Sequence, residues 1–173
     1  MVMLHMSQPV LNNVCVSFYS MCEMQCVVGV RARVRIVVDA VTAYNYGYAD
    51  WWSVAVGLDD GTVKAQFGNR VGRMGYREAM LTGIRDTLIA CPHYGLIVCE
   101  IAAPSWVKEL MRGGVRGWHV MAQRRAVVVD GIRRFLQARH WDVEYRDTAR
   151  DERRNGVGMK DARTRLLQRH PSG

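Results

Sequence analysis

Along this chain the spacing of apolar residues changes from strand-like to helix-like and back, and each change marks an element. From Arg31 to Val38 arginines alternate with apolar residues and then give way to Ile36-Val37-Val38, the pattern of a strand entering the middle of a sheet. Trp52 to Leu58 reads as a second strand. Asp59-Asp60-Gly61 is a tight-turn signal between two extended runs, so Thr62 to Phe67 is predicted to fold back as the other arm of a hairpin. After the glycine-punctuated stretch Gly68 to Gly75, the residues Ala79, Met80, Ile84 and Leu88 recur at helical spacing. They predict a core helix over Tyr76 to Ala90, ended by Pro92 and Gly95. Leu96 to Ile101 has the short apolar character of a buried strand. Pro104-Ser105 opens a helix through Met111 that Gly113-Gly114 stops. A longer helix is predicted from about Val120 to Arg139, with Val128, Ile132, Phe135 and Leu136 inward and Arg124, Arg125, Arg133 and Arg134 outward. Val143-Glu144-Tyr145 is the last strand, and a terminal helix follows it. The order is three antiparallel strands, a helix, a strand, helices, a strand and a helix, an α/β arrangement.

Composition narrows what such a unit does. At 173 residues and 49% hydrophobic content, the chain is long enough for one well-buried domain. We place that domain at 31–173, with residues 1–30 as an N-terminal appendage. The formal net charge is +8, from 24 Lys and Arg against 16 Asp and Glu, which favours phosphate-rich partners and makes nucleic acid the leading class. The five cysteines, Cys15, Cys22, Cys26, Cys91 and Cys99, are odd in number and include no close C-x-x-C pair. They are expected to be free thiols in a reducing compartment. No run reaches the ~20 apolar residues that span a bilayer, and the start lacks a basic stretch followed by an apolar block. A cytoplasmic, intracellular location without a signal peptide is expected.

Four acids stand at telling places in this order. Asp39 ends the run Val34 to Val38, Glu78 opens the Tyr76 helix, Glu100 ends Leu96-Ile97-Val98-Cys99, and Asp161 begins the terminal helix. With Val37-Val38-Asp39, Tyr76-Arg77-Glu78-Ala79-Met80, Val98-Cys99-Glu100 followed by Ser105-Trp106-Val107, and Lys160-Asp161-Ala162 in sequence, the chain resembles the ribonuclease H-like superfamily, most closely its ribonuclease HI type, over roughly residues 31–168. The resemblance implies a mixed five-stranded sheet, three antiparallel strands then two parallel, flanked by helices. It also implies a metal-dependent endonuclease that cleaves the RNA strand of RNA/DNA hybrids, a phosphodiester hydrolase. Asp39, Glu78, Glu100 and Asp161 would be its catalytic metal ligands, with Asp39 and Glu100 side by side on adjacent strands.

Carboxylates suit that chemistry because Mg²⁺ is a hard cation, with Mn²⁺ a substitute. Two such ions ~4 Å apart can activate water on one side and stabilise the leaving oxygen on the other. By resemblance, Asn69, Arg70 and Arg73 would meet the RNA strand, and Arg112, Arg116, Arg124 and Arg125 the DNA strand, through phosphates and 2′-hydroxyls rather than base edges. Trp106 and Trp118 are expected in the core.

Three departures from the family pattern bear on turnover. Glu100-Ile101 stands where the family has Asp-Ser. The loop after the first strand is Val41 to Tyr48 rather than Gly- and Ser-rich, and no His lies between Asp142 and Asp161. Arg150 to Arg154 are candidate substitutes for that His. Glu at the fourth strand end also fits a RuvC-like Holliday-junction or structure-specific DNA nuclease, for which branched DNA would be the partner. The departures together fit a third reading, a catalytically inactive nucleic-acid-binding module.

Overall fold

The structure, a computed structural model, describes residues 32–91, 96–114, 116 and 120–171. The expected appendage at 1–30 and Trp118 lie outside these residues. The elements run β1 (Ala32–Ala43), β2 (Tyr48–Gly57), β3 (Val63–Gly72), α1 (Tyr76–Ala90), β4 (Leu96–Ala103), α2 (Ser105–Gly113), α3 (Val120–Arg139), β5 (Asp142–Asp147), α4 (Arg150–Asn155) and α5 (Met159–Arg169). Across the sheet the order is β3-β2-β1-β4-β5. The first three strands are antiparallel, while β4 is parallel to β1 and β5 parallel to β4. This is the mixed five-stranded sheet that the hydrophobic pattern and the resemblance implied.

Period-two alternation in β1 divides the interior in two. Ile36, Val38 and Ala40 join Trp51, Met80, Leu81, Ile84, Leu88, Val129 and Ile132 in the larger core, covered by α1, α2 and α3. Val37 turns the other way. With Trp52, Val54 and Ala102 it packs on Met159, Ala162 and Leu166 of α5. Helix α1 lies close on the sheet because residue 83 is glycine: a Cβ there would meet Val38 Cγ1 at 2.9 Å and the Trp51 ring at 3.1 Å. At the start of α5, Gly158 has φ +75°. A side chain there would be strained and would also press on Val63 Cγ2 at 2.9 Å.

The strands are longer than the hydrophobic pattern predicts. β1 continues four residues past Asp39, β3 runs through the glycine-rich stretch to Gly72, and β4 continues past Glu100 to Ala103. Once β1 and β2 are paired, each further residue satisfies backbone donors and acceptors whatever its side chain, so Thr42↔Ala49 and Ala43↔Tyr48 extend the ladder. A 3-10 turn at Tyr44–Tyr46 and Gly47 at φ +71° close it. Half of the segment Val41 to Tyr48, expected as a loop, is therefore strand: Val41 to Ala43 in β1 and Tyr48 in β2. Helix α4, too short for a periodic signal, was not predicted at all.

Candidate functional site

Asp39 is fully buried. It shares the face of Val37, so its carboxylate points toward α4 and α5, and two guanidiniums meet it there. Arg154 Nε donates to Asp39 Oδ2 at 2.8 Å, and the Arg153 guanidinium lies 3.8 Å from Oδ1. The second contact is Coulombic rather than a hydrogen bond, since Oδ1 is buried without a hydrogen-bond partner among the described residues. Arg153 is itself buried. It donates to the Thr148 carbonyl and to the Tyr76 hydroxyl at 3.3 Å, so it ties α4 to the end of β5 and the start of α1. An isolated buried carboxylate would cost several kcal/mol. The two arginines, one buried and one half-buried, make Asp39 tolerable.

Glu78 sits in the first turn of α1, where its charge suits the helix N-terminus. It too is buried, and its Oε2 has no hydrogen-bond partner among the described residues. Asp39 and Glu78 thus each hold an unsatisfied carboxylate oxygen, the one observation that favours a cation.

The expected neighbour of Asp39 is elsewhere. Glu100 is the register partner of Arg35, not of Asp39, and Arg35 Nε donates to Glu100 Oε1. Four residues at ~3.3 Å each put the pair about 13 Å down the strand from Asp39. The last register pair of β1 and β4 is Val37 with Ala102, and the residues that follow, Ala103 and Pro104, bring no acid level with Asp39. The side-by-side placement is therefore corrected. The apolar run that seemed to end at Glu100 continues through Ile101-Ala102-Ala103, and parallel pairing with β1 sets the register by the whole run.

Asp161 lies in the first turn of α5, exposed. Met159, Ala162 and Leu166 turn that helix's stripe to the sheet and leave Asp161 off it. Across the described residues no group of three His, Cys, Asp or Glu side chains stands together as metal ligands. The donor set of Asp39 and Glu78, with Glu100 paired elsewhere, Asp161 exposed and two arginines already on Asp39, does not fit a two-ion site.

The expected nucleic-acid contacts divide likewise. Arg70 is engaged within the sheet: Nε and Nη2 donate to Asp50 at 2.9 and 3.1 Å, and its guanidinium lies 3.8 Å from the Tyr48 ring centre. Asn69, beside it on β3, is the register partner of Trp51. Arg73, Arg112, Arg116 and Arg124 are exposed, whereas Arg125 is half-buried and donates to the Met121 carbonyl of its own helix at 3.2 Å. Arg133, expected outward, donates to the Met111 carbonyl at 2.7 and 3.0 Å and to that of Leu110 at 3.0 Å. It caps the end of α2.

Sequence reasoning named Arg150 to Arg154 only as stand-ins for a histidine. Of these only Arg153 and Arg154 pair with Asp39, a pairing legible in the type of residue but not in its direction. Thr148, buried with an unpartnered hydroxyl, gave no sequence signal.

No protein-family model and no curated protein matches the chain by sequence. Solved structures do resemble it. The ribonuclease H1 of the halophilic archaeon Halobacterium salinarum superposes with TM-score 0.61 at 21% identity, covering 77% of this chain and 98% of that one. The N-terminal ribonuclease H domain of a Mycobacterium tuberculosis protein, solved as a fusion with maltose-binding protein, gives 0.62 at 20%, covering 80% and 98%. LC11 ribonuclease H1, solved in complex with an RNA/DNA hybrid, gives 0.62 at 13%, covering 78% and 99%. With the strand order and helix placement above, these likenesses identify the fold of this chain as ribonuclease H-like.

Proposed function

We propose that this domain binds nucleic acid, with RNA/DNA hybrid as its ligand, and that it does so without two-metal-ion hydrolysis. The carrying observation is that Asp39, the acid at the centre of the expected catalytic set, is held by Arg153 and Arg154 and belongs to no group of three potential metal ligands among the described residues. The net charge of +8 and the hybrid bound by the structurally similar LC11 enzyme support the ligand class. Exposed Arg73, Arg112, Arg116 and Arg124 are suited to phosphates, which fix position without reading sequence.

Hybrid hydrolysis is the second reading. The unpartnered oxygens of Asp39 and Glu78 favour it, and the missing third and fourth ligands weigh against it. No observation on this fold favours branched DNA.

The test is incubation with labelled RNA/DNA hybrid, duplex DNA and a four-way junction, each with Mg²⁺, Mn²⁺ or chelator. Retention of hybrid in chelator with the label intact is the expected result. Metal-dependent cleavage of the RNA strand would replace this reading with the nuclease, and failure to retain any of the three would remove nucleic acid as the ligand.

A further inference from the structure

The hairpin that joins β1 to β2 ends in a row of side chains anchored on a buried charge. Asp50 is 3% exposed, and Arg70 Nε and Nη2 donate to its two carboxylate oxygens at 2.9 and 3.1 Å. A buried pair of this kind adds little net stability. What it does is fix a direction, because the fork of the guanidinium matches the carboxylate. So fixed, the guanidinium lies 3.8 Å from the centre of the Tyr48 ring, and half-buried Tyr48 is held from one side.

Gly47, at φ +71°, then turns the chain. The Tyr46 ring stands 6.1 Å from that of Tyr48 with the planes 31° apart, and Tyr46 is 75% exposed. Beside the rings the backbone is bare. The register partner of Tyr48 is Gly72, where a Cβ would meet nothing within 4 Å, and the same holds at Gly47. Exposed Arg73 follows Gly72. Tyr48, opposite Ala43, lies on the face of the sheet that carries Asp39, four residues or about 13 Å further along.

A large ring held out in water beside a cation is placed for contact rather than for a core. Rings so placed stack on nucleobases of any sequence, since every base has a π-face, and arginine adds to the stack. A nucleotide also joins that π-face to an anion, which Arg73 suits and the formal net charge of +8 attracts. In a duplex the faces of the bases are already covered by their neighbours. The base that fits is therefore an unpaired one.

We propose that the tip of the β1–β2 hairpin is a stacking platform for one unpaired nucleobase of a single-stranded nucleic acid. Tyr46 is the ring that meets the base, Tyr48 its support, and Arg73 the contact to the neighbouring phosphate. The platform does not rest on the hybrid reading, since a single strand offers unpaired bases without any duplex.

The experiment measures binding of the full chain to a labelled oligothymidylate and to an abasic strand of the same length, by fluorescence anisotropy. Wild type is compared with Tyr46→Ala, Tyr46→Phe and Arg73→Gln, and melting temperatures confirm that each is folded. The abasic strand keeps every phosphate and lacks the bases, so it separates stacking from charge. Wild type and Tyr46→Phe are expected to bind the oligothymidylate about tenfold more tightly than the abasic strand, and Tyr46→Ala to lose that preference. Arg73→Gln should weaken both strands alike and flatten the dependence on salt.

The platform is overturned if wild type binds neither strand, or both equally. It is also overturned if the preference falls by less than about threefold in Tyr46→Ala, or if Tyr46→Phe loses it as Tyr46→Ala does, which would assign the contact to the hydroxyl. Blunt RNA/DNA hybrid measured alongside decides the hybrid reading by itself, and the preference for bases over abasic strand decides the platform.

Discussion

The two faces of the sheet use the same strand differently. Toward α1, α2 and α3, β1 presents Ile36, Val38 and Ala40, and they merge with Trp51, Met80 and Leu88 into the larger core. Buried hydroxyls on that face meet each other: Ser53 Oγ with Thr87 Oγ1, and Thr87 Oγ1 with the Gly83 carbonyl at 2.6 Å. Toward α4 and α5, β1 presents Arg35, Val37 and Asp39, and unpartnered atoms of Asp39, Thr148 and Arg153 collect there. The first face is mainly apolar and fixes the fold, with Trp51 Nε1 a buried donor left without a partner among the described residues. The other spends stability on buried charge, the signature of a site rather than of a scaffold.

The contrast can be broken first at the apolar face. Trp51→Ala should cost about 4 kcal/mol by chemical denaturation, the cost of emptying a buried aromatic position, without changing ligand affinity per folded molecule. A loss below about 1 kcal/mol would mean that the large core does not carry the fold.

At the charged face, Asp39→Asn should cost about 3 kcal/mol, because it strands a buried Arg153 without its counter-charge. Acids clustered around Asp39 would give the opposite sign, since the substitution would then relieve repulsion and raise the melting temperature. A double change, Asp39→Leu with Arg153→Met, should recover much of the loss, and a cycle showing no coupling would dissolve the pair.

A smaller effect is expected from Arg154→Ala. Arg154 is one-third exposed but Asp39 is fully buried, so the change should cost about 2 kcal/mol, the penalty of leaving Oδ2 without its hydrogen bond. It should also open one side of Asp39, so that millimolar Mn²⁺ raises the melting temperature of the variant and not of wild type. An Mn²⁺-dependent rise already present in wild type would show that the arginines do not keep cations out.

Replacing Arg112, Arg116, Arg124 and Arg125 with alanine should leave stability within about 0.5 kcal/mol. For each residue that contacts a phosphate, the dependence of log hybrid affinity on log salt should flatten by about 0.9 units. An unchanged slope would assign all four to a solvated face.

The smallest effect is a pH response of the apolar face. Burial pushes the Cys91 thiol up to about 11, so the native fold favours its protonated form. Stability from this group is therefore full below the ordinary thiol value and declines as pH rises through it toward about 11. At pH 8 an alkylating reagent should label Cys91 only under denaturing conditions, as read by mass spectrometry of its peptide. Rapid native labelling would show that the thiol is accessible.

Sequence alone determined the elements other than α4, and their order, because hydrophobic period is a local property. The helices over Tyr76 to Ala90 and Val120 to Arg139 are found at those bounds, and the Asp59-Asp60-Gly61 turn joins β2 to β3 as its composition demands, with Gly61 at φ +65°. Which side chains meet was decided only by the tertiary structure. Parallel pairing is set by the whole of β4 against β1, and a shift of four residues leaves every apolar position on its correct face while carrying Glu100 from Asp39 to Arg35. The same alternation that hid the shift from the sequence sends Asp39 toward α4, a six-residue helix with no periodic signal of its own. A carboxylate is visible in a sequence, but its counter-charge is chosen by the packing that surrounds it.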